Sequence, residues 1–258
     1  MSRLRAKCPL CRTFTAVALG PDYECHACGR EFHAGLVRVP QAWGDEGEAM
    51  AEAAYLELPY PETAVIEAES LEEQSLALAA DLPERPLVLG GDCCSHIGAV
   101  EGLAARHERL AVVWIDAHGD LNTPETSPSG NSWGMPLRML LDSGAVQEED
   151  TVLIGARELD PLEEEFLARS QVHRGTSELP KALADTACTY VAIDADVLEP
   201  SELAVFMPEP GGLSLDEVER VLRDLAARTN VLGAGFSGLS FEPVNAEPLT
   251  RLAAALGL

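Results

Sequence analysis

The sequence predicts an α/β domain built on a largely parallel sheet. Three observations carry this: short, almost continuous apolar runs, amphipathic helical segments between them, and ionisable residues gathered where the runs stop. Strands covered on both faces read as unbroken apolar stretches rather than alternating ones. Strands alternating with helices place helices on both faces of a sheet. Ligands then bind outside the carboxyl ends of the strands.

The first segment, residues 1–45, is of another kind. Its core is "CPLCRTFTAVALGPDYECHACGREF", in which Cys8-x2-Cys11 and Cys25-x2-Cys28 are thirteen residues apart. Paired knuckles of this spacing predict a zinc ribbon, four thiolates closing one tetrahedral site. The residues between them read as two short strands around a Gly-Pro turn. A segment this small cannot hold itself by apolar burial, so metal supplies most of its folding energy. The competing reading is a redox CxxC, which does not call for two knuckles. Contact with the main domain or another subunit fits the ribbon better than DNA binding.

Residues 46–258 form the α/β domain. The runs at 85–92, 110–118, 151–157, 189–198 and 230–239 read as buried strands. "SLDEVERVLRDLAAR" opens with a capping box, Ser214 and Glu217, and carries one apolar stripe. "DPLEEEFLAR" offers Asp160 as N-cap and Pro161 at the first helical position.

Composition narrows the function classes. The 258 residues suit one large domain with a small appendage. The net charge of −25 argues against nucleic-acid and anionic-membrane partners, which need basic surface. No run approaches the ~20 apolar residues of a membrane span, and no apolar signal segment follows the first methionine. Seven cysteines, four of them in knuckles, fit metal binding in a reducing cytoplasm.

Chemistry concentrates at three strand ends: "GGDCCS" with Cys93, "DAHGDLN" with Asp116, His118 and Asp120, and "DADVLEP" with Asp194 and Asp196. In a strand, residues two apart share a face. Carboxylates crowded on one buried face repel and are poorly solvated. Cations remove that cost, and carboxylate plus imidazole suits Mn, Fe, Co or Zn.

These motifs, with "SGNSWG" (129–134) and "PEPGGLSLDEVE" (208–219), resemble those of the ureohydrolases: arginase, agmatinase, formiminoglutamase and relatives. The likeness runs in order over about residues 85–245. It implies a three-layer α/β/α sandwich around a mostly parallel eight-stranded sheet. It also implies two divalent ions, Asp116 and Asp194 bridging them, Asp120 on one and His118 with Asp196 on the other. A water between the ions then attacks a guanidinium or amidine carbon. Asn122, Ser129, Asn131 and Asp160 fall where the family holds the amino-acid end of its substrate, although all four are also ordinary loop residues.

Three positions depart from the family pattern. Cys93 replaces a histidine ligand, and either binds metal as a soft thiolate or is a plain buried thiol. Trp133 replaces a histidine that shuttles protons, which indole cannot do; it either walls the substrate or simply packs. In "FEPVN" the substrate-holding glutamate becomes Pro243, with Glu242 one residue off and so on the opposite face of a strand. The expectation is a metal-dependent hydrolase of linear C–N bonds in a guanidino or amidino small molecule. Asp120, His118, Trp133 and Glu242 are its catalytic candidates, and efficient arginase activity is not expected. The alternative is a degenerate binding or regulatory subunit. The family likeness further implies a homo-oligomer.

Overall fold

The computed structural model describes residues 4–258. Among the described residues, twelve strands fall into two sheets. The smaller, order β1-β2-β3-β4, is antiparallel and made of Arg5–Ala6, Ala16–Leu19, Asp22–Cys25 and Glu31–Phe32. The larger has eight strands: β5 (Gly35–Val39), β6 (Glu62–Val65), β7 (Pro86–Gly90), β8 (Leu110–Ile115), β9 (Thr151–Ile154), β10 (His173–Arg174), β11 (Cys188–Asp194) and β12 (Asn230–Ser237). Their order is β10-β9-β8-β11-β12-β7-β5-β6, and every strand pairing in it is parallel.

The sheet separates two apolar layers because its side chains alternate. Leu87, Leu89, Val113 and Ile115 face one layer, which α1 (Glu48–Ala53), α6 (Leu179–Ala182), α7 (Leu215–Arg228) and α8 (Ala246–Ala255) complete. Val88, Val112 and Trp114 face the other, covered by α2 (Leu71–Asp81), α3 (Ser95–Ala104), α4 (Pro136–Asp142) and α5 (Pro161–Arg169). This is the three-layer sandwich. The capping box of α7 forms as its sequence dictates: Glu217 N donates to Ser214 Oγ at 3.3 Å, and Ser214 N to Glu217 Oε2 at 2.9 Å. No described helix is long and apolar enough to cross a membrane.

The division expected at residue 45 does not follow the sheets. Gly35–Val39 pairs with both β6 and β7, so the large sheet begins ten residues before that point. Its sequence, GLVRV, hides the strand by carrying a buried arginine. Arg38 is tolerated there because Glu62 Oε2 accepts from its Nε at 2.7 Å and the Leu56 carbonyl from its Nη1 at 2.9 Å.

Candidate active site

Strands β8, β11, β12 and β7 are consecutive across the sheet, so their carboxyl ends deliver side chains to one place. Asp116 follows β8, Asp194 ends β11, Ser237 ends β12, and Cys93 lies just past β7. All four are buried. Cys93, Asp116 and Asp194 floor a cavity of about 350 Å³ at that edge, which Asp120, Asn122, Ser129, Asn131, Trp133, Asp160 and Asp196 also line.

Two groups of donor atoms stand in it, each within 4.8 Å of one another: Cys93, Asp116 and Asp120, and Asp116, His118 and Asp196. Asp116 belongs to both. His118 Nδ1 is 2.9 Å from Asp196 Oδ2 and 3.5 Å from Asp116 Oδ1. Asp194 borders the first group without joining it. Its Oδ1 accepts from Asp196 N at 3.0 Å, and its Oδ2 from the Cys93 thiol at 3.0 Å and the Ser237 hydroxyl at 3.1 Å. Gly238 makes room for it, since a Cβ there would lie 2.0 Å from Asp194 Oδ1.

The electrostatics are those of a cluster short of positive charge. Burial, then the neighbouring Asp116, pushes Asp120 well above the usual carboxylate range. Burial and Asp196 push Asp194 up to about 7, and burial and Asp116 push Asp196 up to about 6. Burial alone would lower His118, but the hydrogen bonds it donates to Asp116 and Asp196 push it up to about 12. Asp120 Oδ2 is buried and, among the described residues, has no hydrogen-bond partner. Asp120 also sits at φ +53°, a left-handed conformation that Asp tolerates better than most residues. A buried carboxylate oxygen without a donor is costly unless a cation takes the donor's place. The donor set therefore suits divalent ions, with oxygen, imidazole and one soft sulfur.

The candidate substrate residues line the cavity but are also bound to each other. Asn122 Nδ2 donates to Asp160 Oδ2 at 2.9 Å. Glu163, one turn into α5, receives Asp160 N at 2.9 Å and Leu121 N at 2.8 Å, so one carboxylate fixes both loops. Asn131 Oδ1 accepts from Asp45 N at 3.0 Å, and Ser129 Oγ from Asn131 N at 3.2 Å. Trp133 packs edge to face with Phe206, ring centroids 6.5 Å apart. Gly44 lies so close to its ring that a Cβ would come within 2.4 Å.

Glu242 is the exception. It is exposed and lies outside the cavity lining. The cause is Asn245, fully buried and locked to backbone: Ala204 N donates to its Oδ1 at 2.9 Å, and its Nδ2 donates to Ala204 O at 2.8 Å and Ser240 O at 3.1 Å. The short turn at Pro243–Asn245 then leaves Glu242 facing solvent. Another carboxylate, Glu209, lines the cavity instead, its Oε1 3.8 Å from His118 Nε2. It lies in "PEPGGLS", a segment visible in the sequence as a motif, but nothing there shows which way a loop glutamate points. Asp92 and Glu158 likewise line the cavity without an individual signal in the sequence.

A family model described as "Arginase family" matches residues 43–256. The arginase of Bacillus caldovelox is 35% identical over 178 residues, 58% of this chain and 60% of that protein. The chain thus spans less than two thirds of the length of the curated relatives it matches. The crystal structure of arginase from Bacillus cereus superposes with a TM-score of 0.75 at 26% identity, covering 86% of this chain and 96% of that one. Formimidoylglutamase from Bacillus subtilis shares the fold, with a TM-score of 0.68 at 21% identity over 87% of each chain.

Proposed function

The chain belongs to the arginase family, and from that premise we propose that it is a metal-dependent hydrolase of C–N bonds in a guanidino- or amidino-type small molecule. The observation that carries this is the pair of ligand groups sharing Asp116. Cys93, Asp116 and Asp120 would hold one divalent ion and Asp116, His118 and Asp196 another, with Asp194 beside them. Such ions neutralise the carboxylates and supply a water acidic enough to act as nucleophile near neutral pH.

The rest follows from the chain's own residues. Carboxylates from Asp92 to Glu209 line the cavity, and among the described residues no lysine or arginine does. The site therefore favours a cationic substrate. Glu209 is the carboxylate placed to receive the guanidinium or amidinium, the role the sequence offered to Glu242. Asn122, Ser129, Asn131 and Asp160 hold the polar far end, oriented by Glu163. Trp133, which also lines the cavity, walls the substrate and excludes water from the reacting carbon.

The test is hydrolysis of a panel of guanidines, amidines and formimidoyl compounds by protein loaded separately with Mn, Zn, Fe or Co. Amine release that disappears in Asp116→Ala supports the proposal. Protein with both ligand groups filled and no turnover on any member favours the second reading, a binding or regulatory homologue, which the exposure of Glu242 and the substitutions Cys93 and Trp133 motivate.

A further inference from the structure

The catalytic reading leaves the cysteine segment without a purpose. We propose that Cys8, Cys11, Cys25 and Cys28 bind one zinc ion, and that this ion holds the small sheet as a cap over the β6 edge of the large one.

The four sulfur atoms already converge. Cys8 Sγ lies 4.0 Å from Cys28 Sγ, and Cys11 Sγ 3.9 Å from Cys25 Sγ. All four fall within 4.8 Å of one another, and all four are free thiols. Zinc bound by four thiolates at about 2.3 Å puts its sulfurs roughly 3.8 Å apart, so the site needs little rearrangement. The knuckle backbone is formed as well: Arg12 N donates to Cys8 O at 2.8 Å and Gly29 N to Cys25 O at 2.7 Å. Thr15 Oγ1 is 3.2 Å from Cys25 Sγ, a hydroxyl able to donate to a thiolate.

What this cluster supports is specific. The buried apolar interior of the small sheet consists of Ala6, Ala16, Tyr23 and Phe32 with Cys8 and Cys25. That is too little to order a segment of this size without a metal. Yet this sheet carries the backbone that closes the large one. Lys7 N donates to Glu62 O at 2.8 Å and Glu62 N to Lys7 O at 3.0 Å. Their antiparallel bridge sits on the outer side of β6, the last strand of an otherwise parallel sheet. An open edge of this kind is a template for pairing with other chains. Side chains reinforce the bridge: Arg12 reaches Glu57 at 3.2 Å, and Arg85 reaches Asp22 at 3.6 Å. Gly35 allows the close approach, since a Cβ there would lie 2.7 Å from Thr63 Cγ2 and 3.0 Å from Tyr23 Cε2. Zinc at the knuckles is thus linked to the pairing of Lys7 with Glu62.

The test uses the full chain and reads the cap rather than hydrolysis. Cobalt replacing zinc gives thiolate charge-transfer absorption from this site that survives Cys93→Ser and vanishes in the double variant Cys11→Ser, Cys28→Ser. Hydrogen exchange then follows the amides of Lys7 and Glu62. In the double variant they exchange at least about 100-fold faster, while amides of β8 and β11 are unchanged. If the double variant does not fold, the same exchange is measured on Asp116→Asn protein stripped of metal and reloaded with one equivalent of zinc; reloading restores protection at Lys7 and Glu62. Protein that holds no zinc on these four thiols overturns the proposal. So does zinc binding that leaves Glu62 exchange unaltered. Neither result bears on the catalytic site.

Discussion

The thiol of Cys93 donates to the Asp194 carboxylate across 3.0 Å, joining the end of β7 to the end of β11 on the floor of the cavity. The same sulfur is 3.6 Å from Asp116 Oδ2 and 3.1 Å from Ser237 Oγ. Burial, then the neighbouring aspartates, holds the thiol well above its ordinary range. Only a cation drawn into the same cluster reverses that balance, and a thiolate prefers softer ions than carboxylates do. We therefore expect the candidate active site to favour Zn or Co over Mn. Cys93→His moves the preference toward Mn, and Cys93→Ser lowers affinity for Zn by at least about tenfold. Competition between metals, read by metal content per chain, checks this. Equal Mn and Zn affinity in the unaltered protein counts against thiolate ligation.

Asp120 yields a prediction in which stability and activity move in opposite directions. Its Oδ2 is buried without a partner, and burial with Asp116 holds the carboxyl well above its usual range. Asn is nearly the same shape, carries no charge, and accepts the left-handed backbone at φ +53°. Asp120→Asn should raise the stability of metal-free protein by roughly 1–2 kcal/mol. It should also cut turnover of metal-loaded protein at least about 100-fold, by removing a ligand. Urea denaturation with chelator and steady-state rates without it measure the two effects. A destabilised metal-free variant would mean that the carboxylate has a partner after all.

Much of this site is legible in the sequence, because ionisable residues two apart share a face and several such pieces stand together at the ends of parallel strands. Asp116, His118, Asp196 and Cys93 do meet in space. The central strands are legible too, since burial on both faces leaves continuous apolar runs. The outer strands are not: β5 hides behind Arg38, and β6 and β10 are too short and polar to stand out. Loop direction is the second gap. Glu242 and Glu209 are both glutamates beside family motifs; the anchoring of Asn245 leaves Glu242 in solvent, while Glu209 lines the cavity.

That distinction leads to a third prediction. Glu209 Oε1 lies 3.8 Å from His118 Nε2 inside the cavity, whereas Glu242 is exposed outside it. Glu209→Gln keeps the shape and removes the charge. KM for a cationic guanidine should rise at least about tenfold, and KM for a neutral amide analogue should hardly change. Glu242→Gln should alter neither. A KM increase confined to Glu242→Gln would return the substrate-holding role to that position.

The buried histidine behind the site sets a pH dependence of opposite origin to the carboxylates. His96 is fully buried on α3, with Nδ1 3.0 Å from the Tyr190 hydroxyl, Nε2 3.2 Å from Ser237 Oγ, and its ring edge-on to Trp114 at 5.3 Å. Burial lowers its pKa to about 3 from the ordinary 6.5. Between those values the unfolded chain holds a proton that the folded chain does not. Stability from this group is therefore complete above pH ~6.5 and is lost as pH falls towards ~3. Near pH 5 the loss amounts to roughly 2 kcal/mol, one pH unit being worth about 1.4 kcal/mol per proton. His96→Gln can keep a hydrogen bond to Ser237 or Tyr190 and does not titrate, so its stability should change less between pH 7 and 5. Urea midpoints of both proteins at the two pH values give the comparison. An equal drop in each would place the acid sensitivity elsewhere, and would show that Tyr190 and Ser237 accommodate a protonated ring.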